Sequence, residues 1–84
     1  MPKHIHWSPE ARADLRAIDR ETALRILVAV GRFLKTGVGD VKQLTGFHPP
    51  LFRLRVGGWR VFYRESGEGL IEGVRVRKRG EAYR

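Results

Sequence analysis

Several features that carry function in other proteins are missing from this sequence of 84 residues. It has no cysteine, which excludes disulfide bonds, thiolate metal sites and a cysteine nucleophile. Its longest apolar run, residues 26–30, is far shorter than the roughly 20 residues of a transmembrane helix. We therefore expect no membrane partner and no signal peptide, and a single cytoplasmic domain over residues 1–84.

Acidic residues are scarce beside basic ones. There are 17 lysines and arginines against 9 aspartates and glutamates, which gives a net charge of +8, and 13 of the 17 basic residues are arginine. Arginine is the side chain best suited to bidentate contact with phosphate. The charge predicts a polyanionic partner, either a nucleic acid or an acidic protein; a merely solubilising surface is the alternative.

The N-terminal part of the sequence predicts one strand and two helices. Polar and apolar residues alternate over residues 3–7, as they do in a half-buried strand. Ser8 and Pro9 follow as an N-cap and a first helical residue. A second helix is expected over residues 20–35, with Gly37 as its C-terminal cap.

The second predicted helix has more apolar surface than one sheet face requires. Two neighbouring apolar stripes run along it, formed by Leu24, Leu27, Val28, Gly31 and Leu34 and by Ile26, Val30 and Phe33. The thin core of a short chain favours burial of both stripes, and the alternative is a docking groove for a partner's helix or strand. Residues 37–50 are expected to form a loop, because glycine and proline punctuate them.

The last third of the sequence predicts strands joined by tight turns. Apolar residues and arginines alternate on both sides of Gly57-Gly58, which is a strong signal for a two-residue hairpin turn. Such a turn fixes the register and places the apolar pairs on one face and the arginines on the other. The predicted pairs are Val56 with Trp59, Arg55 with Arg60, Leu54 with Val61, Arg53 with Phe62, and Phe52 with Tyr63.

A row of arginines follows when the same count is extended through the second turn at residues 65–70. The row consists of Arg55, Arg60 and Arg75, with Arg53 and Arg77 one step away. Like charges side by side destabilise a sheet by a few tenths to about 1 kcal/mol per pair, so the row suits a surface that receives phosphates. A solvated face with splayed arginines is the alternative. The count also places Glu72 beside Tyr63 on the apolar face, which is its one misfit.

The C-terminal segment adds a basic triplet at residues 77–79 and an aromatic residue, Tyr83, which is expected to be exposed. A tyrosine there suits stacking on a base or proton transfer, and a frayed tail is the alternative. His4 and His6 lack a nearby pair of carboxylates, so we expect no metal site. No glycine-rich phosphate loop is present, and we expect no cofactor.

Three segments together resemble the RelE/ParE superfamily, the toxins of type II toxin–antitoxin systems. They are Gly-Asp-Val-Lys-Gln-Leu-Thr-Gly at residues 39–46, Phe-Arg-Leu-Arg-Val-Gly-Gly-Trp-Arg-Val-Phe-Tyr-Arg at residues 52–64, and Val-Arg-Val-Arg-Lys-Arg-Gly-Glu-Ala-Tyr at residues 74–83. The resemblance implies an α+β fold of the order β-α-α-β-β-β, with a helical hairpin packed on a small antiparallel sheet. In the RelE branch it implies metal-independent cleavage of mRNA on the ribosome. The ribose 2′-OH attacks the adjacent phosphate and leaves a 2′,3′-cyclic phosphate and a free 5′-OH.

The resemblance also implies roles for individual residues. The catalytic set would be Arg53, Arg55, Arg60, Arg79 and Tyr83, and further phosphate contacts would come from Arg75, Arg77 and Lys78. Arg60 would bind the scissile phosphate, and Arg79 would stabilise charge at the leaving oxygen. Lysine is found at the positions of Arg53 and Arg55 in well-studied members, and arginine hardly deprotonates. Tyr83 is then the one obvious proton-transfer group, and the identity of the general base stays open.

The partners implied are the ribosome, mRNA and a small acidic antitoxin that forms a hetero-oligomer with the toxin. Two other functions stay open. One is a ParE-like toxin that inhibits DNA gyrase and has no nuclease activity. The other is a nucleic-acid-binding protein with no toxin role, which only the net charge supports.

Overall fold

The computed structural model describes residues 3–81 and Tyr83. The elements are β1 (His4–Trp7), α1 (Pro9–Ala17), α2 (Arg20–Thr36), β2 (Asp40–Leu44), β3 (Leu51–Val56), β4 (Trp59–Glu65) and β5 (Leu70–Lys78). The strands form one sheet in the order β1-β5-β4-β3-β2, in which β1 runs parallel to β5 and the other neighbours are antiparallel. The predicted α+β class is confirmed, with one strand more than expected and one parallel pair.

Both helices begin where their sequences predict, and α2 ends at Thr36, one residue beyond the predicted bound. Ser8 Oγ accepts a hydrogen bond from the backbone N–H of Ala11 at 3.0 Å, and Pro9 opens α1. Asp19 caps α2 in the same way, and Gly37 closes α2 in the left-handed region at φ 76°. Within the described ranges, neither helix is long and apolar enough to cross a membrane.

The segment expected to be a loop contains a strand. Asp40–Leu44 pairs along its whole length with β3, so the prediction of a loop over residues 37–50 is wrong for these five residues. Four of the five are exposed, so burial imposes no alternation of apolar and polar residues that the sequence would reveal. Gly39 lets the strand begin there, because a Cβ at this position would lie 2.7 Å from Leu54 Cδ1.

The first hairpin has the predicted register in all five pairs, from Phe52 with Tyr63 to Val56 with Trp59. The second hairpin does not. Ser66 N–H donates to the Leu70 carbonyl at 2.9 Å, which leaves three turn residues where the count assumed two. The extra residue places Glu72 opposite Arg64 and removes the misfit with Tyr63.

A β-bulge then shifts the second hairpin by one more residue. Phe62 pairs with Arg75 and Tyr63 pairs with Gly73, so Val74 is the additional residue on β5. The prediction that Arg75 lies opposite Arg60 is therefore wrong, because Arg77 occupies that position. The longer turn and the bulge each shift the register by one residue. Because a total shift of two residues returns every side chain to its predicted face, Arg77 still lies on the same face as Arg60.

Apolar clusters lie on both sides of the sheet. On the helix side, seven buried residues form the main core: Ile26, Val30, Leu54, Val61, Tyr63, Ile71 and Val76. On the other side, Leu51, Phe62 and Val74 form a smaller cluster. The stripe that contains Leu24 and Val28 lies largely outside both cores, since these residues are 51% and 71% exposed, although Leu34 of the same stripe packs against the main core. The expectation that both stripes are buried is wrong, because α2 turns Ile26 and Val30 towards the sheet and its other side towards solvent.

Candidate nucleic-acid interface

A cleft of about 660 Å³ opens on the face of the sheet that the helices leave uncovered. β3 and β4 contribute Arg53 and Arg60 to its lining, and the C-terminal segment contributes Glu81 and Tyr83. Phe47, from the connection between β2 and β3, also lines it. The fold thus brings basic, acidic and aromatic side chains from distant parts of the sequence into one depression.

Arg60 is the residue in this cleft with the least compensation for its charge. Its Nη1 atom is shielded from solvent and has no hydrogen-bond partner among the described residues. Burial lowers the pKa of Arg60, and repulsion by Arg53, Arg55 and Arg79 lowers it further, against a partial offset by Asp40. An arginine keeps its proton even so. A bound anion would supply both the missing acceptor and the missing negative charge.

Two other arginines of this face are only loosely paired. Arg53 Nη2 lies 3.7 Å from Asp40 Oδ1, and the carboxylate is 60% exposed. Arg77 Nη2 lies 4.0 Å from Glu81 Oε2. Both distances exceed that of a hydrogen bond, and the Nε atoms of both arginines are buried without a partner in the described part of the chain. These guanidinium groups keep donors available for phosphate oxygens.

The observed row of arginines differs from the predicted one by a single member. It consists of Arg55, Arg60 and Arg77 on three neighbouring strands. Arg79 follows the row, and its N–H donates to the Gly58 carbonyl at 2.8 Å. Within residues 3–81 and 83, neither Arg55 nor Arg79 forms an ion pair. The set of Arg53, Arg55, Arg60 and Arg79 expected from the sequence is therefore brought together around Arg60.

Arg75 lies outside the lining of the cleft and is engaged with α1. Its Nε and Nη2 donate to the two carboxylate oxygens of Asp14 at 2.8 and 3.0 Å. Asp14 also accepts the backbone N–H of Val76 at 2.9 Å. Burial alone would raise the pKa of Asp14, but these hydrogen bonds outweigh it and lower the pKa. The structure thus uses Arg75 to fasten α1 to β5.

Tyr83 does not project into solvent as the sequence suggested. Its ring lies 5.3 Å from that of Phe62 and 5.7 Å from that of Phe47, measured between centroids, and it packs on the smaller apolar cluster. These contacts hold the C-terminal segment against the cleft. Lys78, in contrast, pairs with Trp59, whose ring packs against the core beneath the helices. The register therefore assigns Lys78 to the face opposite the cleft.

Comparison with known proteins shows the family of the chain. The family model described as the ParE toxin of type II toxin–antitoxin systems, parDE, matches residues 5–83. The chain is a toxin of the RelE/ParE family. No curated protein matches the toxin in sequence.

Three solved structures with a fold similar to that of the toxin come from toxin–antitoxin complexes. The archaeal RelE–RelB complex of Pyrococcus horikoshii contains a chain with 23% identity and a TM-score of 0.76, covering 98% of the toxin and 100% of that chain. A chain of the RelBE2 complex of Mycobacterium tuberculosis has 23% identity and a TM-score of 0.80, covering 94% of the toxin and 100% of that chain. A chain of the RelB–RelE complex of Methanococcus jannaschii has 22% identity and a TM-score of 0.67, covering 86% of the toxin and 87% of that chain. These likenesses establish the RelE fold for the toxin.

Several residues of the cleft were not assigned a place in it by the sequence, among them Lys42, Phe47 and Glu81. Lys42 was missed because its strand was taken for a loop. Phe47 was missed because its contact with Tyr83 joins residues far apart in the chain. Glu81 could have been found from the sequence, because it is the one acidic residue in the basic segment of residues 77–84.

Proposed function

We propose that the toxin is a ribosome-dependent mRNA endonuclease of the cytoplasm, acting as a single domain over residues 1–84 without a metal or cofactor. The observation that carries this proposal is the buried Nη1 of Arg60, which has no hydrogen-bond partner among the described residues and lies in a cleft shared with Arg53 and Tyr83. Such a donor is unfavourable in the free protein and becomes favourable when a phosphate oxygen accepts from it.

The arrangement suits attack of a ribose 2′-OH on the adjacent phosphate. That reaction concentrates negative charge on the phosphate oxygens, and donors fixed in advance stabilise the charge without reorganising. Arg60 binds the scissile phosphate, while Arg53 and Arg55 on β3 flank it. Arg79 stabilises the leaving 5′-oxygen. Arg77, beside Arg60 on β5, binds a neighbouring phosphate.

Inhibition of DNA gyrase is the second candidate, favoured by the description of the matching family model as a ParE toxin. Gyrase inhibition requires a binding surface but no preorganised phosphate site. The unsatisfied Arg60 donor has no role in that function, so the geometry supports the nuclease better.

Mapping of mRNA 5′ ends in a translating extract tests the function. The toxin should produce cuts at defined positions within codons, and Arg60→Ala should lower the rate about 10²- to 10³-fold because a transition-state donor is lost. Tyr83→Phe should also slow cleavage, while Arg12→Ala on the exposed side of α1 should not.

Intact messages would reject the nuclease, and trapped gyrase–DNA complexes in the same extract would establish the gyrase alternative. Cleavage at the wild-type rate by Arg60→Ala would reject the assigned site.

An antitoxin is the second proposed partner, and it forms a hetero-oligomer with the toxin. The structural neighbours are complexes with RelB antitoxins. A groove of about 440 Å³ between α2 and β3 has an apolar lining that includes Val28 and Val38, which are 71% and 64% exposed. Arg25, Arg32 and Arg55 also line it. An antitoxin segment with apolar and acidic residues matches both features.

Arg55 links this groove to the arginines of the cleft. It lines the groove and also repels Arg60. An acidic residue that binds Arg55 from the groove withdraws one cation from the phosphate site. Antitoxin and RNA therefore compete for Arg55.

Calorimetry with the cognate antitoxin tests the groove. Val28→Glu should weaken binding about tenfold or more, because it replaces an apolar contact with a charge that repels an acidic segment. Leu70→Glu, which changes an exposed apolar residue outside the groove, should bind like the wild type. Equal affinities of the Val28→Glu variant and the wild type would exclude the groove.

A further inference from the structure

Glu81 is the one acidic residue that lines the cleft within the described part of the chain. The other lining residues with charge are Lys42, Arg53 and Arg60. A carboxylate has little reason to lie in a pocket built for phosphate, because it repels the ligand and neutralises the cations that bind it. Its presence therefore calls for an account beyond electrostatic binding.

The two carboxylate oxygens of Glu81 have different surroundings. Oε1 accepts the backbone N–H of Lys78 at 2.9 Å, and Glu81 N–H donates back to the Lys78 carbonyl at 3.0 Å. This reciprocal pair fixes the side chain at the end of β5. Oε2 lies 4.0 Å from Arg77 Nη2 and makes no hydrogen bond within residues 3–81 and 83. One oxygen thus anchors the group, and the other is available to accept a proton.

We propose that Glu81 is the general base of the cleavage reaction, an inference that rests on the proposed nuclease function. Glu81 and Tyr83 line the same cleft. A carboxylate accepts a proton and a phenol donates one, so the two side chains supply both groups that the reaction needs.

The reaction balances with these two groups. Glu81 Oε2 takes the proton of the ribose 2′-OH while the 2′-oxygen forms its bond to phosphorus. The bond from phosphorus to the 5′-oxygen breaks, and the leaving oxygen takes the proton of the Tyr83 hydroxyl. The products are a 2′,3′-cyclic phosphate and a free 5′-OH. Glu81 then releases its proton to solvent, and Tyr83 regains one.

The arginines around Glu81 serve this step as well as binding. Arg60 and Arg53 hold the phosphate that is attacked, and Arg77 lies beside the carboxylate that is protonated. As the 2′-OH proton neutralises Glu81, negative charge develops on the phosphate oxygens. The guanidinium groups then interact less with Glu81 and more with the phosphate, while their side chains stay in place.

Glu81→Gln is the decisive variant. Its side-chain oxygen still accepts the Lys78 N–H, so the end of β5 keeps its hydrogen bond while the base is removed. The measurement is single-turnover cleavage of mRNA bound to purified, programmed ribosomes. We expect a loss of about 10²- to 10⁴-fold in rate, with ribosome binding unchanged or tighter because a negative charge has gone. Glu68→Gln, in the exposed turn before β5, removes the same charge outside the cleft and should cleave normally.

The pH profile distinguishes a carboxylate base from a phenolate base. With Glu81 as the base, the wild-type rate should change less with pH than the rate of a variant without the carboxylate. The residual rate of Glu81→Gln should rise about tenfold per pH unit, as solvent hydroxide replaces the base. A wild-type rate that rises as steeply as the rate of Glu81→Gln would overturn the proposal.

The outcomes separate the inference from the function on which it rests. Faster or unchanged cleavage by Glu81→Gln would show that the carboxylate merely offsets charge, and would reject Glu81 while leaving the nuclease intact. Absence of cleavage by the wild type would reject the nuclease and the general base together. Circular dichroism of both glutamine variants should match the wild type, and a lost fold in Glu81→Gln would assign the residue a structural role.

Discussion

Two neighbouring rungs of the first hairpin show how differently the two faces of the sheet are used. Leu54 pairs with Val61 on the helix side, where the two residues are 3% and 1% exposed. The next rung pairs Arg55 with Arg60 on the cleft side. Both rungs belong to one antiparallel ladder, and the contrast comes from what the side chains contact on each face. The first rung stabilises the fold, while the second opposes it through repulsion and an unsatisfied buried donor.

This difference teaches where the binding surface of a small domain is found. A chain of 84 residues has little stability to spare, so a rung that costs stability needs a compensating role. On the cleft side that compensation comes from a ligand, since phosphate removes the repulsion and satisfies the donor. The arginines thus indicate a binding site, because their proximity does not stabilise the unliganded protein.

The largest effect is expected from truncating the helix-side rung. Leu54→Ala should lower the free energy of unfolding by about 2–5 kcal/mol, because it leaves a cavity beneath α2 among the residues of the main core. Urea denaturation followed by circular dichroism measures this change. A loss below about 1 kcal/mol would show that the helices cover this face more loosely than their contacts indicate.

The smallest effect, and of opposite sign, is expected from the cleft-side rung. Arg60→Met keeps the unbranched stem and removes the charge, so it should raise the free energy of unfolding by a few tenths to about 1 kcal/mol. The gain should shrink when salt is added, since ions screen the repulsion that the variant relieves. Destabilisation by Arg60→Met at low salt would contradict the contrast between the two faces.

The sequence allowed one hairpin to be predicted in full because its turn leaves a single choice. Gly57-Gly58 permits a two-residue turn, and the alternation on both sides then determines every pair. The second turn contains Gly67, Ser66 and Gly69 within a polar stretch, which is compatible with several turn lengths. A bulge at Val74 has no local signal, since it depends on packing from both sides of the sheet.

The sequence predicted which residues belong to the candidate site better than it predicted how they are arranged there. Alternation identified Arg53, Arg55 and Arg60 as sharing a face, because their spacing depends on local periodicity alone. The engagement of Arg75 by Asp14 was not predictable, since it joins residues on α1 and β5 that only the tertiary fold brings together. The same reason hid the contact of Tyr83 with Phe47.

The turn and the bulge of the second hairpin also show where this protein can change its length. Deleting Val74 would leave the flanking pairs in place, since Gly73 already pairs with Tyr63 and Arg75 with Phe62. Losing one residue of the turn would likewise leave Ser66 able to pair with Leu70. In both cases Arg77 stays opposite Arg60. Insertions and deletions in relatives should therefore concentrate at these two points.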